Sequence, residues 1–370
     1  MDVYTTDPST MLTAAAALKL VTAFFEKEWP QTIEEEIDLR RVTGGFCHRL
    51  HLITRNNEAR QEPKSILIRH FGLEGNENEP LESSTTLSAA EQTVIYHEMG
   101  RRGWGPKVYG VFRGGRLEEY IDAHVLTAAE SMQLDIRHDI ARSFARLHSL
   151  ELPFRKDSFT RVICEFKGVA NKKAEAVQKL LGLRSSKATQ LATFIRNMDW
   201  SRELDWLSEL FERYKCKRSI AIIDVNFSNV LVKNYKSENQ ILLIDYETAA
   251  YSYRGIDIGG HFSERMYCWS HPDNVLSGHP APNLEEQTAF CESYMQEMQV
   301  LGQETTNDTV SHLILESEIG RMYQMVFSFL MCIRFEGFES SSPLVVGLVN
   351  MAEIYCQLKH DFASRHETPC

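Results

Sequence analysis

The sequence predicts an α+β chain of two lobes, a β-rich N-lobe over residues 1–120 and a mainly α-helical C-lobe over 121–370. Three observations carry that reading. At 370 residues the chain exceeds what one ordinary hydrophobic core accommodates. Short strand-like runs separated by glycine turns crowd the first third. Beyond Ile121 the apolar residues recur mostly at helical spacing.

Taken in order, residues 9–29 place Leu12, Leu18, Val21, Phe24 and Phe25 at helical spacing and Pro30 closes the segment, predicting a helix. Residues 41–43, 49–54 and 65–71 read as strands of a small antiparallel sheet, with Gly44 and Gly45 in its first turn. Residues 88–101 return to the helical period. The stretch GWGPKVYGVFRGGRLEEYI then reads as strand, Gly-Gly turn and strand, with a hinge near 118–122. In the C-lobe, DIRHDIARSFARLHSL and DWLSELFERYK are amphipathic helices. Two apolar strand-length runs interrupt the helices, 219–223 and 240–244, each followed by an aspartate, Asp224 and Asp245. Residues 154–201, basic at Lys172, Lys173, Lys179, Arg184 and Lys187, read as a solvated insertion.

Composition narrows the function. With 51 acidic against 40 basic residues the formal net charge is -11, which argues against broad contact with nucleic acid or anionic lipid and favours a cationic small molecule. The eight cysteines never form a C-x-x-C pair, so neither a zinc site nor a disulfide framework is indicated and reduced thiols are expected. No run approaches the ~18 apolar residues that span a bilayer, predicting a soluble, cytoplasmic protein without membrane insertion.

The strongest chemical signal is IAIIDVNFSNVLV, in which a strand delivers Asp224 into a loop and Asn229 follows five residues later. A phosphotransferase needs a carboxylate beside the attacking hydroxyl and a neutral oxygen ligand for Mg²⁺, and D-x-x-x-x-N supplies both. A polar turn between two strands has the same pattern. In ILLIDYETA a second strand ends in Asp245, sixteen positions after Asn229, with Glu247 close behind. Asn229 and Asp245 make a reasonable oxygen set for Mg²⁺. In the N-lobe, Arg69 ends the strand SILIRHF, and Glu91 lies on the 88–101 helix on the same face as Val94 and Ile95. A carboxylate on an apolar stripe wants a cation, which predicts an Arg69–Glu91 pair that meets nucleotide phosphates as the Lys–Glu pair does in protein kinases. The backbone of Gly44 and Gly45 offers amides to a phosphate, although a bare Gly-Gly hairpin is commoner. The whole reading requires Asp224, Asn229 and Asp245 to converge on magnesium-held phosphates.

The stretch DYETAAYSYRGIDIGGHFSE resembles the choline/ethanolamine kinase signature, an acid-aromatic-Glu triplet followed by Y-x-Y-R-G-x-D-I-G-x-H-F-x-E. RVTGGF, ILIRHFG, GWGPKVYGVFRGGRLEEYI and ARLHSLELP also look like this family in sequence and order. The resemblance spans almost the whole chain and is weakest over 155–200. It implies a protein-kinase-like two-lobed fold and ATP- and Mg²⁺-dependent phosphorylation of an amino alcohol, choline first and ethanolamine second, feeding phosphatidylcholine synthesis. It further implies Asp224 as base with Glu247 in support, metal on Asn229 and Asp245, an ammonium pocket of Glu264, Trp269, Phe335 and Phe338, and a homodimer. Rings suit a quaternary ammonium because cation–π contact gives ~0.5–2 kcal/mol where no hydrogen bond is available. His148, Asp257 and His261 take structural roles in this reading. Departures stand beside the match. The family's His-Asn pair before the catalytic aspartate is Ile222-Ile223 here, which removes an expected support for the loop. Cys47 and His48 replace Ser-Asn after the glycine turn, and Arg265 replaces an aromatic next to the pocket acid. These departures keep a non-catalytic pseudokinase scaffold as an alternative.

Overall fold

The computed structural model describes residues 12–42, 49–57, 61–71, 87–269, 271, 273–306, 308–335 and 343–366, with Phe335 described by its backbone alone. The chain divides into two compact units, residues 1–83, 87–123 and 233–235 in one and 84–86, 124–232 and 236–370 in the other.

The first unit is built on an antiparallel sheet. Helix α1 (Ala14–Thr22) begins at the N-cap Thr13 and ends before Trp29, where Pro30 sits in a short 3₁₀ turn, so the helix is shorter than residues 9–29. Strands β1 (Ile37–Val42), β2 (Arg49–Arg55) and β3 (Ser65–His70) are followed by α2 (Ala89–Arg101), β4 (Val108–Phe112) and β5 (Gly115–Glu119). The sheet order is β1-β2-β3-β5-β4. Strand side chains alternate between faces, so Ile53, Ile66, Ile68 and Leu117 form one apolar face. They bury it against Ala17, Leu20 and Val21 of α1 and against Trp29.

The second unit is mainly helical. Its elements are β6 (Ala123–Val125), α3 (Leu134–His148), α4 (Ser158–Ala170), α5 (Lys173–Gly182), α6 (Ser186–Asn197), α7 (Trp200–Arg213), β7 (Arg218–Ala221), β8 (Val230–Lys233), β9 (Ile241–Leu243), β10 (Ala250–Tyr253), α8 (Arg254–Glu264), α9 (Leu284–Val300), α10 (Val310–Phe335) and α11 (Pro343–His366). β7 pairs with β10, and β6, β8 and β9 form a second small sheet. Residues 154–201 are not a solvated insertion. Phe159, Val162, Phe166, Leu180, Leu191 and Ile195 are buried in the same core as Leu207 of α7 and Val326 of α10. The lysines that suggested a solvated segment lie on the outer faces, where Lys172, Lys179 and Lys187 are exposed.

Helix α8 is held with little freedom. Its backbone touches that of α10, since a Cβ on Gly320 would stand 1.8 Å from the Gly255 carbonyl oxygen and one on Gly255 would stand 2.2 Å from that of Glu316. At its first residue, buried Arg254 donates to Glu316 (2.7 Å) and to Asp308 (3.0 Å). This anchoring matters because α8 carries Asp257 and Glu264. Among the described residues, no helix is long and apolar enough to cross a membrane.

Candidate active site

A hairpin delivers the first two groups. β8 and β9 pair with Val230 opposite Leu243, and one step beyond the ladder the Ile244 N–H donates to the Asn229 carbonyl at 3.0 Å. Asn229 and Asp245 therefore stand at the same end of one ribbon, whose strands run ~4.8 Å apart. Asp245 takes a left-handed backbone (φ 63°), uncommon for a residue other than glycine and frequent where a chain turns into a functional loop. The Asn229 side-chain nitrogen donates to the Asp224 carbonyl (3.1 Å), closing the D-x-x-x-x-N loop on itself. With the nitrogen so engaged, the amide oxygen of Asn229 is left to face a cation.

The loop that carries Asp224 is fixed from below by α8. The Ile222 and Ile223 N–H groups donate to the two oxygens of Asp257 at 2.8 and 2.9 Å. The same carboxylate lies 3.0 Å from His148 Nε2, and His148 Nδ1 lies 3.0 Å from the Tyr294 hydroxyl. Ile223 is held left-handed (φ 69°), a strained state for a β-branched residue that persists only where its surroundings over-determine it. The support expected to be lost with the His-Asn pair is thus supplied by backbone amides on a buried carboxylate. Thr248 ties in the second loop by donating to the Ile222 carbonyl (2.7 Å) while accepting from the Asp224 N–H (3.3 Å).

These placements set the electrostatics. Burial raises the proton affinity of Asp224, and the nearby charges of Asp245 and Glu247 add to it, against the opposing donation of Asn226. Glu264, at the end of α8, is pushed up to about 8 by burial and then by the Asp224 charge, against a hydrogen bond from Trp269. Trp269 Nε1 lies 3.1 Å from Glu264 Oε2, and its ring stacks on Tyr267 with centroids 4.7 Å apart. Asp224, Asp245, Glu247, Glu264 and Trp269 thus belong to one neighbourhood. Arg265 does not oppose a cation there. Its guanidinium turns to Glu286, with two bonds of 2.7 Å, and to the Pro280 carbonyl. His261 is pushed down to about 3 by burial and by Arg265, a neutral packing residue among Phe144, Phe227 and Phe290. Phe335 closes α10, while Phe338, Gly44 and Gly45 lie outside the described residues.

In the first unit the predicted Arg69–Glu91 pair is not formed. Glu91 is the third residue of α2 and completes a capping box with Ser88, accepting from its N–H (3.0 Å) and hydroxyl (2.8 Å). Arg69 instead donates through Nε to Glu118 of β5 at 2.6 Å. Arg116 donates to the same oxygen at 2.6 Å, with its guanidinium 3.8 Å from the centre of the Tyr96 ring. Burial would raise Glu118, but the charges of Arg69 and Arg116 outweigh it and hold the carboxyl below its ordinary range.

A family model described as choline/ethanolamine kinase matches residues 39–345. The chain belongs to the choline/ethanolamine kinase family. A rat choline/ethanolamine kinase is 27% identical over 300 residues, covering 78% of this chain and 71% of the relative. A solved choline kinase from Cryptosporidium parvum superposes with a TM-score of 0.70 at 18% identity, covering 95% of this chain and 97% of its own. An ethanolamine kinase from Plasmodium vivax gives 0.58 at 16% identity, with 94% and 90% covered. At such identities these structures speak for the fold, which is the protein-kinase-like one, a sheet unit followed by a mainly helical unit. The chain is accordingly a phosphotransferase of the choline/ethanolamine kinase kind, and kinase chemistry implies that it binds a nucleotide.

A magnesium ion fits the residues of this kinase. Among the described residues, no three His, Cys, Asp or Glu side chains gather into a metal site on their own. Mg²⁺ asks for less, since it is bound through one or two protein oxygens together with waters and substrate phosphates, and the Asp245 carboxylate beside the free amide oxygen of Asn229 offers that chemistry. Sequence reasoning missed four contributors: Glu118, Asn226, Thr248 and the grip of Asp257 on the loop. Thr248 and Asp257 lie inside the family signature, whereas Glu118 carried no local sign of its partner.

Proposed function

We propose that this family member is an ATP-dependent choline kinase that makes phosphocholine by direct transfer, with ethanolamine as the second acceptor. The observation that carries the reading is the convergence of Asp224, Asn229 and Asp245 on one ribbon end, next to a buried acid at Glu264. In this scheme Asp224 accepts the proton of the substrate hydroxyl as its oxygen attacks the terminal phosphate of the nucleotide. Its raised proton affinity suits a base that must hold that proton. Asn229 and Asp245, with Glu247 in support, would hold Mg²⁺, which supplies charge neutralisation at the phosphate oxygens. Glu264 and Trp269 receive the ammonium group, Glu264 by charge and Trp269 by its ring. Phe335 and Phe338 complete the pocket by family resemblance.

In the sheet unit, Arg69 is assigned to the nucleotide phosphates, oriented by Glu118 rather than Glu91, and Gly44 and Gly45 are assigned to the same task. Residues 1–120 are thus the nucleotide-binding lobe and 121–370 the lobe of the base, the metal ligands and the amino-alcohol pocket. A cytoplasmic homodimer without membrane insertion completes the reading. ADP release measured over a panel of amino alcohols tests it, with Asp224→Asn and Asp245→Asn alongside. Removing the base is expected to lower turnover by ~10²–10⁴. Native turnover in Asp224→Asn, or nucleotide binding without release of ADP for any acceptor, refutes the scheme.

A further inference from the structure

Asn226 stands two residues after Asp224, in the loop whose usual His-Asn support this chain lacks. Its side-chain nitrogen donates to Asp224 Oδ1 at 3.0 Å, while its oxygen accepts the Ser228 N–H at 2.8 Å and also the Ser228 hydroxyl. The backbone N–H of Ser228 can only donate, so the amide oxygen of Asn226 must face it. The NH₂ end is thereby committed to Asp224. No other described residue hydrogen-bonds the Asp224 carboxylate, which receives the Asn226 backbone N–H as well as its side chain. Among the described residues its orientation therefore depends on Asn226, and the side-chain contact is the part a substitution removes. The neighbouring acids Asp245 and Glu247 give the carboxylate no partner, and the strained Ile223 just before it leaves the backbone little adjustment.

We infer that Asn226 is a positioning residue that fixes one oxygen of Asp224 by hydrogen bond and leaves the other, Oδ2, turned to the substrate hydroxyl. This rests on the reading of Asp224 as the base. The second role of Asn226 is to cap the 3₁₀ turn Phe227–Asn229, and the two roles separate chemically. Asp and Ser cap a turn as well as Asn does, but an Asp cannot donate to a carboxylate and a Ser hydroxyl is too short to reproduce the contact.

The test is Asn226→Asp and Asn226→Ser, assayed for kcat and nucleotide KM with choline and melted by circular dichroism beside Asp224→Asn. Loss of a charge-assisted hydrogen bond in the reacting geometry corresponds to a fall in kcat of ~10–100-fold. Both Asn226 variants are expected to show it, with melting temperature and nucleotide KM at native values. Turnover within twofold of native in either variant overturns the inference, as does a parallel loss of kcat, nucleotide affinity and melting temperature, the pattern of a turn that has merely come apart. Native turnover in Asp224→Asn brings down the base assignment itself. A dead Asp224→Asn beside active Asn226 variants brings down the positioning role alone.

Discussion

Replacing Glu264 by Gln separates the cost of a buried charge from its use. In the folded kinase the Glu264 carboxyl sits at about 8 instead of an ordinary 4.5, raised by burial and by the charge of Asp224. The folded state therefore binds this proton more tightly than the unfolded chain does. Stability from Glu264 is fully present below about pH 4.5 and is lost as pH rises through about 8. At ~1.4 kcal/mol per pH unit the full loss amounts to about 5 kcal/mol, an upper figure because water entry relaxes a buried charge. Gln keeps the shape and has no proton to lose. Urea denaturation of native protein and Glu264→Gln at pH 5, 7 and 9 should show the variant gaining on the native chain with each step, by ~2–5 kcal/mol over the range. In the proposed pocket the same substitution removes the charge assigned to the ammonium group, so the native affinity for choline should climb as pH rises to about 8, and that climb should be absent in the variant. A stability difference that stays constant from pH 5 to 9 would refute the placement of Glu264 as a buried, protonated acid.

Other substitutions address the supports of the site. Asp257→Asn can accept only one of the Ile222 and Ile223 amides, so turnover should fall and urea denaturation should show a loss of ~1–3 kcal/mol. Glu118→Gln leaves the buried guanidinium groups of Arg69 and Arg116 without their shared carboxylate. A stability loss of ~3–5 kcal/mol and a raised nucleotide KM are expected, read by denaturation and steady-state kinetics. Gly320→Ala drives a methyl group into the Gly255 carbonyl and should cost ~1–3 kcal/mol or more in thermal unfolding, with the rate falling because α8 shifts.

Much of the local structure was legible. The alternation of ILIR and HLIT follows from the period of a half-buried strand, and β2 and β3 fall within a residue of the predicted bounds. Ser88 with Glu91 is an S-x-x-E pattern, a sequence sign of a helix start that gives the Glu91 carboxylate a local role without a cation. Residues 154–201 carried their answer as well, since Phe159, Val162, Ile163 and Phe166 recur at helical spacing. The lysines on the outer faces obscure that period in the sequence.

Sequence by itself determined which carboxylates end strands and which amide follows on the same loop, because chain direction and strand period are local properties. The family signature added the order of parts. Only the tertiary structure decided the partners. Arg69 meets Glu118, 49 residues away, through the register of β3 on β5, and Asp257 reaches amides 34 and 35 residues before it because α8 is clamped to α10. The raised acid at Glu264 has the same origin, since proton affinity in a folded chain depends on desolvation and on charges brought close by packing, neither of which is written in the order of residues.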